Sequence, residues 1–201
     1  MGNSNTVNGL KLLFCAAAVN IAVTILGIFG IFGSNSFIST ICSIASIVSG
    51  LATIAGVYIA GKDNDGYAKA FLYSVIPLGV SFVGSLLLSL FWNLTIIGPL
   101  LSLVLPIITL AINLLVKFNI INATISIHRR NGAHALAESG ITLWRITLIC
   151  TAAGIVLSLF TGIQAVGSVF NLLRIATDLV GNALYLLFLF KSFNSIEGKS
   201  F

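Results

Sequence analysis

Six apolar stretches set the limits on what this chain can fold into. They cover residues 12–33, 37–61, 71–92, 94–116, 141–160 and 164–190. A helix rises about 1.5 Å per residue, so about 20 apolar residues cross a hydrocarbon core about 30 Å thick. The first four stretches hold no Asp, Glu, Lys or Arg; the fifth holds Arg145, and the sixth holds Arg174 and Asp178. Strands of a membrane barrel are shorter, about 9–11 residues, and alternate apolar with polar. Residues 12–19 and 71–77 do not alternate. The pattern therefore predicts an all-α integral membrane protein with six transmembrane helices, forming a single domain over residues 1–201.

Composition agrees. Apolar residues make up 58% of the chain and charged residues 7%, against about a quarter charged in soluble domains. So few charges could not cover a water-facing surface, whereas lipid accepts apolar side chains facing outward. The net charge of +5 comes from ten Lys and Arg that form no basic patch, so nucleic acid is not an expected partner. Cys15, Cys42 and Cys150 lie inside apolar runs, without a CxxC pattern or a Cys/His cluster. Neither a disulfide framework nor a metal site is expected from them. The first stretch has 22 residues, longer than the roughly 7–15 of a cleaved signal's apolar region, and reads as a first span.

The connectors are of two kinds. Residues 34–36, Trp92-Asn93 and 161–163 are short and uncharged; residues 62–70, 117–140 and the two termini carry the charge. Short links fold the helices they join into antiparallel hairpins, here three. Eight of the ten basic residues, Lys11, Lys62, Lys69, Lys117, Arg129, Arg130, Lys191 and Lys199, fall on one side. The positive-inside rule makes that side cytoplasmic, with both termini there, in a bacterial-type plasma membrane.

The cytoplasmic loop 118–140 is the largest segment outside the spans. Leu114, Phe118, Ile121 and Ile125 recur at helical spacing, so the fourth helix is expected to continue past the membrane. His128 to Gly132 then reads as a turn whose Arg129 and Arg130 touch anionic headgroups or set the topology. His128 and His134 have no acidic or thiol neighbours in sequence and are not read as metal ligands.

The three hairpins begin alike, with Asn8-Gly9-Leu10-Lys11, Asp65-Gly66-Tyr67-Ala68-Lys69 and Ser139-Gly140, the last followed by Trp144 and Arg145. Asn8, Asp65 and Ser139 read as helix N-caps, and the basic residues as side chains that snorkel to the interface.

The sixth stretch carries most of the chemistry. Gln164, Asn171, Asp178 and Tyr185 are seven apart; Gly167, Arg174 and Gly181 repeat the period with an offset of three. On a helix the two sets merge into one polar or small stripe, with Asn182 at its edge. Arg174 and Asp178 flank the midpoint, where a lone charge costs about 2.5–3.5 kcal/mol. They are one turn apart and are expected to form an ion pair. Asn20, with Thr24, offers a polar face on the first helix. A second seam, Cys42, Ala45, Ser49, Ala52, Gly56 and Ala60, follows three- and four-residue spacing on the second helix. Such seams let helices pack closely, against another helix of the chain or another subunit. Pro77 and Pro106 are interior and should kink their helices.

Enzyme chemistry has no footing: G-x-S-x-G, HExxH, a Walker A motif and paired carboxylates are all missing, so no catalytic residue and no cofactor are expected. Asn93-Leu94-Thr95 fits a glycosylation sequon and the first six residues a myristoylation pattern; neither carries the reading. Two functions fit. One binds or translocates a small polar or ionic solute through Arg174, Asp178, Asn171, Asn182, Tyr185 and Asn20. The other is an oligomeric scaffold, sensor or pore-forming subunit, joined through the second helix's seam to a second copy or a partner membrane protein. Six spans with both ends inside, together with the AxxxA of Ala18-Val19-Asn20-Ile21-Ala22, resemble the substrate-binding subunits of bacterial vitamin importers. The resemblance covers those five residues and the topology, and implies that Ala18 and Ala22 serve docking.

Overall fold

In a computed structural model the described residues are 4–32, 36–91, 97–160 and 167–198. They form six helices: α1 (Ser4–Phe32), α2 (Ser36–Gly61), α3 (Asp65–Phe91), α4 (Ile97–Arg130), α5 (His134–Phe160) and α6 (Gly167–Glu197). No strand occurs among the described residues. Most of the three short connectors, the Asn93 sequon, the N-terminal tripeptide, Gln164 and Lys199 lie outside them.

Among the described residues, five helices are long and apolar enough to cross a membrane: α1, α2, α4, α5 and α6. This is consistent with an integral membrane protein. α3, read as the third span, is not among the five counted over the described residues. At 34 residues, α4 is about 51 Å long and exceeds a hydrocarbon core of about 30 Å by several turns.

The extension of α4 follows the helical spacing of Phe118, Ile121 and Ile125. It ends in a Schellman motif. Ala133 N–H donates to the His128 carbonyl at 2.8 Å and Gly132 N–H to the Arg129 carbonyl at 3.1 Å. Gly132 sits at φ +72°, the left-handed conformation that the motif needs and that lacks a steric penalty only for glycine. α5 then starts at His134, seven residues ahead of the apolar stretch that signalled it. The segment 118–140 is thus helical except for 131–133.

Helices adjacent in the chain pack together, most extensively α1 on α2, α3 on α4 and α5 on α6. Contact between α1 and α6 closes a ring in chain order, and α4 also touches α6. Large buried side chains come mainly from the first halves of α1, α3 and α5 and the second halves of α2, α4 and α6, with Leu10, Val57, Tyr67, Ile120, Ile121 and Leu189 fully enclosed.

Hydrogen bonds cross the helices at the same end. Asp63 accepts from Thr6 N–H at 2.9 Å, Thr6 Oγ1 at 3.3 Å and Asn5 Nδ2 at 2.9 Å, capping α1 from the α2–α3 turn. Tyr67 and Thr124 join α3 to α4 at 2.7 Å, and His128 Nε2 and Ser192 Oγ join α4 to α6 at 2.9 Å, all four buried. Lys11 and Glu197 pair at 2.7 Å between α1 and α6. Toward the other end, Ile44, Ile47, Leu51, Ile149, Val156 and Leu173 are exposed. Such faces suit lipid, in which no hydrophobic force drives helices together.

The shared hairpin starts have a different cause from N-capping. Asn8 and Ser139 lie inside α1 and α5, and α3 is capped by Asn64, whose Oδ1 accepts from Gly66 N–H at 2.8 Å. What the three sites share is close approach. A Cβ on Gly9 would fall 2.5 Å from the Gly56 carbonyl oxygen; on Gly66, 2.7 Å from Ala123 Cβ; on Gly140, 2.6 Å from Ile125 Cγ1.

The small seam of α2 is engaged within the chain. Ser49 Oγ donates to the Ala16 carbonyl at 2.9 Å, a Cβ on Gly56 would lie 3.0 Å from the Gly9 carbonyl oxygen, and Ala60 is buried. Ala45 and Ala52 are half-buried on the same helix.

Candidate functional site

The polar residues of α6 recur every three or four positions, so they share one face, and this face meets α5 at its small residues. A Cβ built on Gly154 of α5 would lie 3.6 Å from Asp178 Oδ1 and 4.0 Å from Arg174 Cγ. One turn further on, a Cβ on Gly181 would lie 3.6 Å from Cys150 Cβ and 3.8 Å from its Sγ. Asp178 and Arg174 therefore lie beside Gly154, at distances that a Cβ there would meet as ordinary van der Waals contact.

α4 supplies a third charge. Lys117 Nζ donates to Asn182 Oδ1 at 3.1 Å and sits over the Tyr185 ring, 5.7 Å from its centroid. Both contacts suit an ammonium: a hydrogen bond to a charged group contributes about 1.5–3 kcal/mol, and a cation within about 6 Å of a ring centroid is attracted by its electron-rich face. Asp178 lies within electrostatic reach of both Arg174 and Lys117, and Lys117 within reach of Cys150 as well.

The expected Arg174–Asp178 ion pair does not form. Arg174 Nη2 turns back to Asn171 Oδ1 at 3.0 Å, and the ion pair found among the described residues is Lys11–Glu197. Helical side chains lean toward the N-terminus. An acid placed before a base at i and i+4 therefore pairs well, and the reverse order, present here, pairs poorly. Arg174 Nε is buried without a hydrogen-bond partner.

Of the residues singled out in the sequence, Asn171, Arg174, Asp178 and Asn182 are half-buried and Tyr185 is buried, all along this α6 face. Asn20 is exposed on α1 and is not brought to the cluster; its carbonyl accepts from Thr24 Oγ1 at 2.8 Å. Ala18 is half-buried and Ala22 exposed. Arg129 and Arg130 are exposed in the last turn of α4. Among the described residues, no three of His, Cys, Asp and Glu converge as metal ligands would.

Lys117 is the member that sequence reasoning missed. It follows an uncharged apolar run, like an interfacial anchor. The contrary signal was present, because apolar spacing continues through Phe118, Ile121 and Ile125 and so places Lys117 within a helix. No protein-family profile, curated protein or solved structure matches this chain.

Proposed function

We propose that this chain is a multi-pass membrane protein that binds or translocates a small polar or ionic solute where α4, α5 and α6 meet. In this reading six transmembrane helices form three antiparallel hairpins, and both termini are cytoplasmic. The placement of Lys62, Lys69, Arg129 and Arg130 in or beside the charged connectors supports that orientation.

The observation that carries the reading is the reach of Lys117 across to Asn182. It gathers a third ionisable group beside Arg174 and Asp178, which already stand on an apolar helix at a cost. Ionisable residues at membrane depth mark solute and ion pathways by default. The alternative, an oligomeric scaffold joined through α2, has less support, because Ser49, Gly56 and Ala60 already pack against α1.

The test is solute flux into vesicles containing the purified chain, across a panel of inorganic ions and small polar solutes. The wild-type chain should pass at least one of them, and Arg174→Gln with Asp178→Asn should abolish that flux. Undiminished flux in this double variant would remove the cluster from the pathway.

A further inference from the structure

We infer that the solute is a small anion, held by Arg174 and Lys117; the inference rests on the cluster being the solute site. The cluster contains two cations and one carboxylate, and neither cation closes an ion pair with Asp178 among the described residues. The acceptors they do reach are neutral amides, Asn171 for Arg174 and Asn182 for Lys117. Arg174 cannot shed its proton in a protein. Its Nε is buried with no partner, so a fixed positive charge is left with a donor to spare.

An anion answers both deficits. It brings the missing negative charge to a depth where unbalanced charge is costly. With two oxygens it also matches the planar guanidinium fork, as carboxylates and nitrate do. A metal cation is poorly served by the same residues. Both amide oxygens already face N–H donors, which leaves Asp178 as the single anionic ligand. Asp178 repels an incoming anion and so keeps its binding weak enough for release.

The probes are nitrate and acetate against sodium and potassium, with the full chain in vesicles of phosphatidylcholine alone, which offer no anionic headgroup. Nitrate or acetate should cross faster than through protein-free vesicles and should raise the Tm of the detergent-solubilised chain at constant ionic strength. Arg174→Gln should weaken both effects about tenfold or more. Arg174→Lys, which keeps the charge and guards against simple misfolding, should retain part of them. Asp178→Asn should bind nitrate more tightly than the wild type. If sodium or potassium crosses and stabilises while nitrate and acetate do neither, the anion assignment is overturned and a solute site survives. If no probe in this panel or the wider solute panel has any effect, the solute site itself falls.

Discussion

Lys117 on α4 gives its ammonium to the amide oxygen of Asn182 on α6 at 3.1 Å, so one hydrogen bond ties together two helices that are not neighbours in the chain. Asn182→Leu should strand that ammonium and lower stability by about 1–3 kcal/mol. Adding Lys117→Met should restore most of the loss, because two apolar groups in place of a buried polar pair are nearly neutral. A double-mutant cycle on thermal unfolding in detergent measures the coupling; additive losses would show that the bond carries none.

Exchanging the charges of α6 tests why they do not pair. Arg174→Asp together with Asp178→Arg places the acid first, the order that closes an ion pair and adds about 0.2–0.5 kcal/mol. The exchanged chain should melt slightly higher than the wild type and lose its response to solute.

The tight glycines make a sharper prediction. Gly9→Ala would force a Cβ to 2.5 Å from the Gly56 carbonyl oxygen, and overpacking of this kind costs about 1–3 kcal/mol. Gly50→Ala meets nothing within 4 Å and should be neutral or slightly stabilising, since alanine is the better helix former. Melting curves of the two variants should separate clearly.

Asp63 should act as a cap from outside the helix it serves. Asp63→Ala removes the acceptor for Thr6 N–H, Thr6 Oγ1 and Asn5 Nδ2. A loss of about 1 kcal/mol is expected, with faster amide exchange confined to the first turns of α1. Hydrogen–deuterium exchange resolved to that peptide provides the check.

Orientation is tested by labelling in a background lacking Cys15, Cys42 and Cys150. An impermeant thiol reagent applied to intact cells should modify Asn35→Cys and Gln164→Cys and spare Arg130→Cys. The opposite pattern would invert the orientation.

Much of the architecture was legible in the sequence because lipid writes a coarse code. Apolar length announced the helices, and the spacing of Leu114, Phe118, Ile121 and Ile125 announced that α4 outruns its span. The early start of α5 left no such trace. His134, Ala135, Leu136, Ala137 and Glu138 include good helix formers, yet a search for apolar length passes over them. The α6 face was legible from its period of seven, but its partners were not. That Asp178 would lie over Gly154, and that Lys117 would turn inward, depends on the register between helices, which no single helix encodes. The misread N-caps fail for a related reason: Gly9, Gly66 and Gly140 were the informative residues of their motifs, and what they accommodate lies far along the chain.

The bonds from Asp63 to Thr6, Tyr67 to Thr124, His128 to Ser192 and Lys11 to Glu197 all sit around one rim of the ring. Apolar flanks at the opposite rim can trade neighbouring side chains for acyl tails at little expense. Among the described residues, the bonded rim is drawn together like the stitched base of a purse, and it gathers the first turns of α1 and the last turns of α6 into one cuff.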